Sequence, residues 1–440
     1  MTSPSGSTAS ATPLRLGVAG LGTVGAGLIT LLRDNADLIT ARAGRPVEVT
    51  AVAARDRNRD RGIDVTPFRW YDNATDLVSD PNVDVIVELI GGADGTARLL
   101  VESALTAGKP TVTANKALIA LHGETLARLS ERHKAPLLFE AAVAGGIPAI
   151  KTVREGLAAD RILWIGGILN GTCNYILTAM RETGRDFADV LAEAQALGYA
   201  EADPSTDVDG IDAAHKLTIL ASLAFGNPII FDSVHVEGIR HIGALDFSFA
   251  RTLGYRIKLI GLARRNEYGI EARVAPCLIP EASPIAQVDG VFNAVITEGT
   301  FVGRLMVEGR GAGAGPTASA VAADLIDLAR NTTAPVWGTS SSELKSVRSR
   351  PASEREGAFY IRLTVTDRPG VIADIAAILR DCGVSLNSMI QHPSARTDQD
   401  VSLVLVTHPT REAGMQHAVD KISALPVVLS APVLVRIENL

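Results

Sequence analysis

The chain has 440 residues, of which 47% are hydrophobic and only 4% aromatic, and it carries a formal charge of −7. That length predicts two or three domains, with cores built mainly from Ala, Val, Leu and Ile. The acidic balance argues against nucleic acid or an anionic membrane as partner, and no apolar run approaches the ~18 residues that span a bilayer. Cys173, Cys277 and Cys382 stand far apart without a Cys-x-x-Cys pair. This predicts neither a disulfide framework nor a structural zinc site, and it suits a reducing, cytoplasmic setting.

Residues 1–13 are rich in Ser, Thr and Pro, with neither a basic start nor an apolar stretch, and read as a disordered tail. From 14 to 140 short apolar runs alternate with helical patterns. Strands are predicted at Leu14–Gly20, Val47–Ala53, Val83–Ile90, Pro110–Thr113 and Pro136–Glu140, with helices at Thr96–Ala107 and Lys116–Arg132. This alternation predicts a parallel sheet covered on both faces. Residues 141–330 mix long helical patterns (Phe187–Leu197, Asp212–Phe225) with strand-like segments (Ile270–Leu278, Ala294–Gly299), an α+β arrangement. Residues 331–356 are polar and read as a linker. Beyond it, Phe359–Val365, Val371–Cys382, Val384–Ile390, Val401–Thr407, Glu412–Ala424 and Val427–Glu438 follow the βαββαβ order of a ferredoxin-like domain, residues 357–440.

Gly20-Leu21-Gly22-Thr23-Val24-Gly25 follows the first strand and opens a helical pattern. The first glycine permits a tight turn, the second a close approach of backbone to pyrophosphate, and the third close helix–strand packing. The helix N-terminus then offers free N–H groups to a phosphate. The second strand ends in Ala53-Ala54-Arg55-Asp56-Arg57. An Arg there suits the 2′-phosphate of NADP, with Arg57 reinforcing Arg55, while Asp56 keeps NAD open.

Four carboxylates within ten residues (Glu201, Asp203, Asp207, Asp209) precede a helix in which Asp212 and Lys216 lie four apart, on one face. An acidic loop beside an ordinary ion pair is one reading. The other is a catalytic amine: Leu217, Ile219, Leu220 and Leu223 bury the helix that carries Lys216, and oxidation of an alcohol needs a proton acceptor. His215 points elsewhere on that helix and reads as structural. Thr111–Lys116 runs off a strand into a helix, which places Lys116 at the carboxyl edge of the sheet, where open α/β folds bind ligands. The loop Glu140–Pro148, rich in small residues, could offer carbonyls to a hard monovalent cation or be a simple turn.

These segments together resemble the homoserine dehydrogenase family. The resemblance runs in order through GLGTVG, ELIGG (Glu88–Gly92), TANK (Thr113–Lys116), FEAAVAGGIP (Phe139–Pro148), LNGTCNYIL (Leu169–Leu177), LGYAEADPSTDVDGIDAAHKLTIL and GAGAGPTASAV (Gly311–Val321). The last block is similar to an ACT domain. The fold implied is α/β: an N-terminal Rossmann-type dinucleotide-binding domain (14–140), an α+β substrate and dimerisation domain (141–330) and a C-terminal ferredoxin-like ACT domain.

The resemblance implies NAD(P)H-dependent interconversion of L-aspartate 4-semialdehyde and L-homoserine, with Lys216 transferring the proton and Lys116 assisting at the substrate oxygen. It makes Glu201 and Asp212 binders of the substrate amino group and Asp207 a further active-site acid. Leu21, Thr23, Val24, Arg55, Thr113, Gly198 and Gly315 match cofactor contacts, beside Gly20, Gly22, Gly25 and Lys116. Glu140, Val143, Gly145 and Ile147 match a sodium or potassium loop, in which Gly145-Gly146 replaces a familiar Ala-Gly; carbonyl ligation is indifferent to that change. A homo-oligomer, dimer or tetramer, with L-threonine as effector is expected, the turn Asp367–Gly370 and Asn387 being candidate effector contacts. Phosphoglycerate dehydrogenase-like enzymes also join a Rossmann and an ACT domain, but their glycine motif sits mid-chain. A non-enzymatic amino-acid sensor would leave the acids around Lys216 without a purpose.

Overall fold

The computed structural model describes residues 12–228, 231–393 and 400–440. The predicted tail, apart from Thr12 and Pro13, lies outside them. Two compact units emerge: one comprises residues 1–165, 215–231 and 293–346, the other 166–214, 232–292 and 347–440.

The first unit is built on six strands, β1 (Leu14–Ala19), β2 (Val47–Ala53), β3 (Arg69–Tyr71), β4 (Val85–Glu88), β5 (Thr111–Thr113) and β6 (Leu137–Leu138), in the order β3-β2-β1-β4-β5-β6. All the pairings are parallel. This is the Rossmann-type sheet expected from the alternation. Leu16, Val18, Val52, Val85 and Val87 bury one face, and Ala19, Ala51, Ala53 and Ile86 the other. The chain then returns to this core: helix Ala314–Arg330 lays Ala318, Val321 and Leu325 against helix α1 (Thr23–Asp34), meeting it where Gly27 leaves a space that a Cβ would close to 3.1 Å from the Ala314 carbonyl. The expected strand Pro136–Glu140 shrinks to Leu137–Leu138, because Glu140 is drawn into a short 3-10 turn. Helix α2 (Lys116–His133) fits its predicted span.

In the second unit the hairpin Tyr255–Asn266 and Gly269–Pro280 continues into the C-terminal block. The strand Val433–Ile437 pairs in parallel with Gly269–Pro280, Cys277 facing Arg436, and antiparallel with Glu356–Thr366 on its other side. Glu356–Thr366 then pairs with Asp400–Thr407, and that with Leu386–Pro393. Within the block the spatial order is fourth, first, third, second, the antiparallel arrangement of a ferredoxin-like fold, with helices Val371–Asp381 and Glu412–Ser423 covering Phe359, Ile361, Leu363, Leu403 and Leu405. The long strand expected over Val427–Glu438 is confined to Val433–Ile437.

Where the block joins the hairpin, charges rather than apolar groups are buried. Arg273 pairs with Glu271 and Glu438, and Arg355 with Glu438 at 2.7 Å and Glu412 at 3.2 Å; Arg436 pairs with Glu237 at 2.7 Å and with Glu412. Such ions persist only when every partner is present, because removing one strands another in a low-dielectric interior. Burial alone would raise the Glu237 carboxyl, but His235 and Arg436 hold it well below the usual carboxylate range; Arg273, Arg264 and Arg355 act likewise on Glu438. A depressed folded-state pKa contributes stability above the unfolded value, lost as pH falls through the folded one. The stability these two carboxylates contribute should therefore be present in full above about pH 5 and be lost from the urea midpoint below about pH 4. Glu237→Gln should make that acid slope shallower; an unchanged slope would remove Glu237 from its cause.

Candidate active site

In the first unit the glycine turn is closed by its own backbone. Gly20 takes φ 97°, and a Cβ there would lie 2.5 Å from the Leu89 carbonyl oxygen; one at Gly25 would lie 2.1 Å from that of Gly20. A Cβ at Gly22 would meet nothing within 4 Å. The outer glycines thus let strand and helix approach, while the middle one caps α1, where Thr23 and Val24 begin the helix with N–H groups available to an anion. Leu21 beside it is buried. A cleft of about 480 Å³ opens there, walled by Gly20, Leu21, Gly22, Arg55, Arg59 and Arg61. Arg57 lies instead over the Trp70 ring, 5.9 Å from its centroid, with Arg61 at 5.6 Å. The loop after β2 therefore folds Arg59 and Arg61 back toward Arg55, which spacing along the sequence did not reveal.

Glu88, fully buried at the end of β4, organises the neighbouring edge. One of its carboxylate oxygens accepts the N–H groups of Ile90 (2.7 Å) and Gly91 (3.0 Å), and the other accepts the Thr113 hydroxyl at 2.5 Å. Thr113 Oγ1 accepts the Asn115 N–H at 3.0 Å. Asn115 then donates its amide to the Gly92 carbonyl (2.6 Å) and caps α2 by accepting the Leu118 N–H (3.1 Å). The ELIGG and TANK segments are one hydrogen-bonded frame, and Lys116 is its first helical residue.

The loop after β6 turns through left-handed Ala144 (φ 56°) and Gly145 (φ 52°), with Gly145 so close to Gly311 that a Cβ would lie 2.5 Å from its carbonyl oxygen. Gly315 follows in the first turn of helix Ala314–Arg330. The Glu140 N–H donates to Asp324 (2.8 Å), and the Glu140 carboxylate accepts the N–H groups of Ile150 (3.0 Å) and Lys151 (2.8 Å). Burial, with Asp324 alongside, pushes the Glu140 carboxyl up to about 7, and burial pushes Asp324 up to about 6. Lys151 is the cation paired with Asp324 and Asp327 here. Among the described residues no cluster of three His, Cys, Asp or Glu side chains could hold a metal, and no N–H donates to the Val143 or Gly145 carbonyls. Excess negative charge beside undonated carbonyls fits a hard monovalent cation.

The second unit sorts the acidic segment. Asn170, buried ahead of helix Gly171–Thr183, accepts the Cys173 N–H at 2.8 Å and donates to Asp207 at 2.7 Å and to Asp212 at 2.8 Å. One amide therefore holds two carboxylates together. Asp209 instead pairs with Arg240 (2.5 Å), Asp203 accepts the Ser205 N–H (3.1 Å), and Glu201 stands exposed with its carbonyl held by Gln195 (3.0 Å). Gly198, at φ 75°, turns the chain into this segment. Asn170 was visible in the sequence only as part of a motif; an Asn directly before a helical pattern is the capping signal that could have singled it out.

Helix Ile211–Phe225 carries Asp212 (2% exposed) and Lys216 (7% exposed). A lysine that deep is held by a helix whose Leu217, Ile219 and Leu220 are also buried. The His215 ring stacks on Phe231, 4.6 Å between centroids. In the C-terminal block Gly370 takes φ 95° ahead of helix Val371–Asp381, and Asn387 is the extra residue at a bulge where the register shifts between Leu386 and Ser388. Bulges often mark ligand-facing edges.

A Rossmann-type sheet, a glycine turn at its first crossover and a cleft beyond it define a nicotinamide-dependent oxidoreductase. Family models refine that class. Residues 20–140 match the NAD-binding domain of homoserine dehydrogenase, 148–326 match homoserine dehydrogenase itself, and 359–427 match the ACT domain. A homoserine dehydrogenase of Pseudomonas aeruginosa is 48% identical over 97% of this chain and 99% of its own. The crystal structure of one from Thiobacillus denitrificans superposes with a TM-score of 0.92 at 46% identity, covering 97% of this chain and 99% of that one. A hyperthermophilic archaeal homoserine dehydrogenase, solved in complex with NADPH, shares 26% identity at a TM-score of 0.63 over 74% of this chain and all of its own. The chain belongs to the homoserine dehydrogenase family.

Gly25→Ala would drive a methyl into the Gly20 carbonyl. Equilibrium titration with NADPH should then show binding weakened at least about tenfold, the order that ~1.4 kcal/mol of strain produces. Wild-type affinity would mean that the turn does not hold the dinucleotide.

Proposed function

We propose that this enzyme reduces L-aspartate 4-semialdehyde reversibly to L-homoserine with NADPH, in the branch that leads to threonine and methionine. The observation that carries the reading is the clasp of Asp207 and Asp212 by Asn170, with Lys216 one helical turn beyond Asp212. Paired carboxylates suit an α-ammonium group, and Glu201 joins them as a substrate-binding acid. When bound, the nicotinamide supplies hydride to the aldehyde carbon. Lys216 Nζ gives a proton to the oxygen as charge develops on it and takes that proton back in the oxidative direction. Lys116 steadies the same oxygen with its positive charge. Holding the ammonium orients the aldehyde for attack and removes much of the entropic barrier.

Preference for NADP over NAD is supported by Arg55, Arg59 and Arg61 along the cleft and by the NADPH complex of the archaeal relative. Thr113, Gly198 and Gly315 complete the proposed cofactor contacts. Glu140, Val143, Gly145 and Ile147 would hold sodium or potassium, whose charge would steady the loop. We assign the enzyme to the cytoplasm and to a homo-oligomer, dimer or tetramer, with residues 357–440 as the regulatory domain and L-threonine as its effector. The Asp367–Gly370 turn and the Asn387 bulge are the proposed contacts.

Lys216→Ala should lower turnover by roughly 10²–10⁴, the usual scale for general acid–base catalysis, with NADPH affinity nearly intact. Turnover like the wild type would remove Lys216 from the chemistry. Homoserine oxidation by the full chain should run faster with NADP than with NAD and slow when threonine is added. Indifference to threonine would reject it as the effector and leave the activity standing.

A further inference from the structure

Between the acidic segment and the C-terminal block runs a stretch, residues 235–246, that no part of the chemistry above uses. At one end it is tied to the block through Glu237, which meets Arg436 at 2.7 Å. At the other end Asp246, fully buried, accepts the Tyr360 hydroxyl at 2.9 Å and Arg362 at 2.6 and 3.0 Å. Along the way it joins the sheet, His235 and Val236 pairing with Arg273 and Val274.

Its middle rests on the short helix Ser205–Val208, which carries Asp207. The Ile239 N–H donates to the Val208 carbonyl at 2.9 Å. Gly238 lies so close that a Cβ would stand 2.4 Å from that carbonyl oxygen and 2.7 Å from the Asp209 Cα. Arg240 then grips both ends of the helix, meeting Asp209 at 2.5 and 3.1 Å and the Ser205 hydroxyl at 3.3 Å. A four-residue helix has too few internal hydrogen bonds to hold its own position. Its placement therefore comes from what it leans on.

We infer that residues 235–246 act as a strap by which the C-terminal block sets the position of Asp207, making Arg240 and Glu237 positioning residues for the substrate ammonium group. Arg240 fixes the helix directly, and Glu237 fixes the strap to Arg436. Any ligand that shifts the block's strands would shift the strap, since both anchors, Arg436 and the Tyr360–Arg362 pair, lie on those strands. The inference rests on the reading of Asp207 and Asp212 as the ammonium site.

The test is steady-state kinetics on the full chain, varying homoserine and NADP separately, with melting temperatures measured alongside. Asp207→Asn reports on the ammonium site itself. Arg240→Gln and Glu237→Gln, both at partly exposed side chains, report on the strap. All three should raise the homoserine KM, by on the order of tenfold for Arg240→Gln, while the NADP KM stays within about twofold. Arg240→Lys, which keeps the charge but not the fork, should recover part of the loss. The combined Arg240→Gln and Glu237→Gln change should fall short of the product of the single effects, because both act through one strap. If Asp207→Asn raises the homoserine KM and the strap variants do not, the strap is refuted and the ammonium site stands. If the strap variants lower the melting temperature and shift both KM values together, their role is stability alone and the inference fails. A homoserine KM unmoved by Asp207→Asn overturns the ammonium site and the strap with it.

Discussion

Two carboxylates set side by side repel, and the energy rises as they leave water; a protein that wants both ionised must supply donors. Asn170 supplies one N–H to each of Asp207 and Asp212 and spends its carbonyl oxygen on the N-terminus of the following helix. The amide is neutral, so it holds both side chains without adding a charge of its own. The helix that carries Asp212 also carries Lys216 one turn further on, so both side chains lie on one face of it.

The first unit uses a similar economy of parts. Glu88 gives both oxygens to two loops, Thr113 is donor and acceptor at once, and Asn115 closes the set while starting the helix that begins with Lys116. Each buried polar group in this frame has its partner, which makes the edge of the sheet rigid where a dinucleotide must be oriented. The loop after β6 differs. Its acids outnumber its one paired lysine, its carbonyls point without donors, and burial pushes the Glu140 and Asp324 carboxyls upward in pKa.

Five of the six Rossmann strands were legible as short apolar runs, and β2 emerges at its predicted limits, Val47–Ala53, whereas β3, only Arg69–Tyr71, has no apolar run to announce it. Strand Tyr255–Asn266 was not legible, because Arg256, Lys258, Arg264 and Arg265 give it the look of a surface segment. Lys258 is in fact buried, bonded to Asn174 at 3.1 Å and Asp289 at 2.9 Å, and a charge satisfied from so far along the chain leaves no local signature. The same holds for Asp324, whose contact with Glu140 spans 184 positions. Motif and spacing located the acids around Lys216. They could not tell which acid pairs with Asn170 and which with Arg240, since that choice is made by tertiary placement.

The parallel pairing of Val433–Ile437 with Gly269–Pro280 has a bearing on biogenesis. Arg273 meets Glu438 across 165 positions, so the hairpin leaves the ribosome with one edge unpaired and with Arg273 holding Glu271 but not yet its second carboxylate partner. Long-range closure of this kind is slow, and charged side chains along the waiting edge guard it against pairing with another chain.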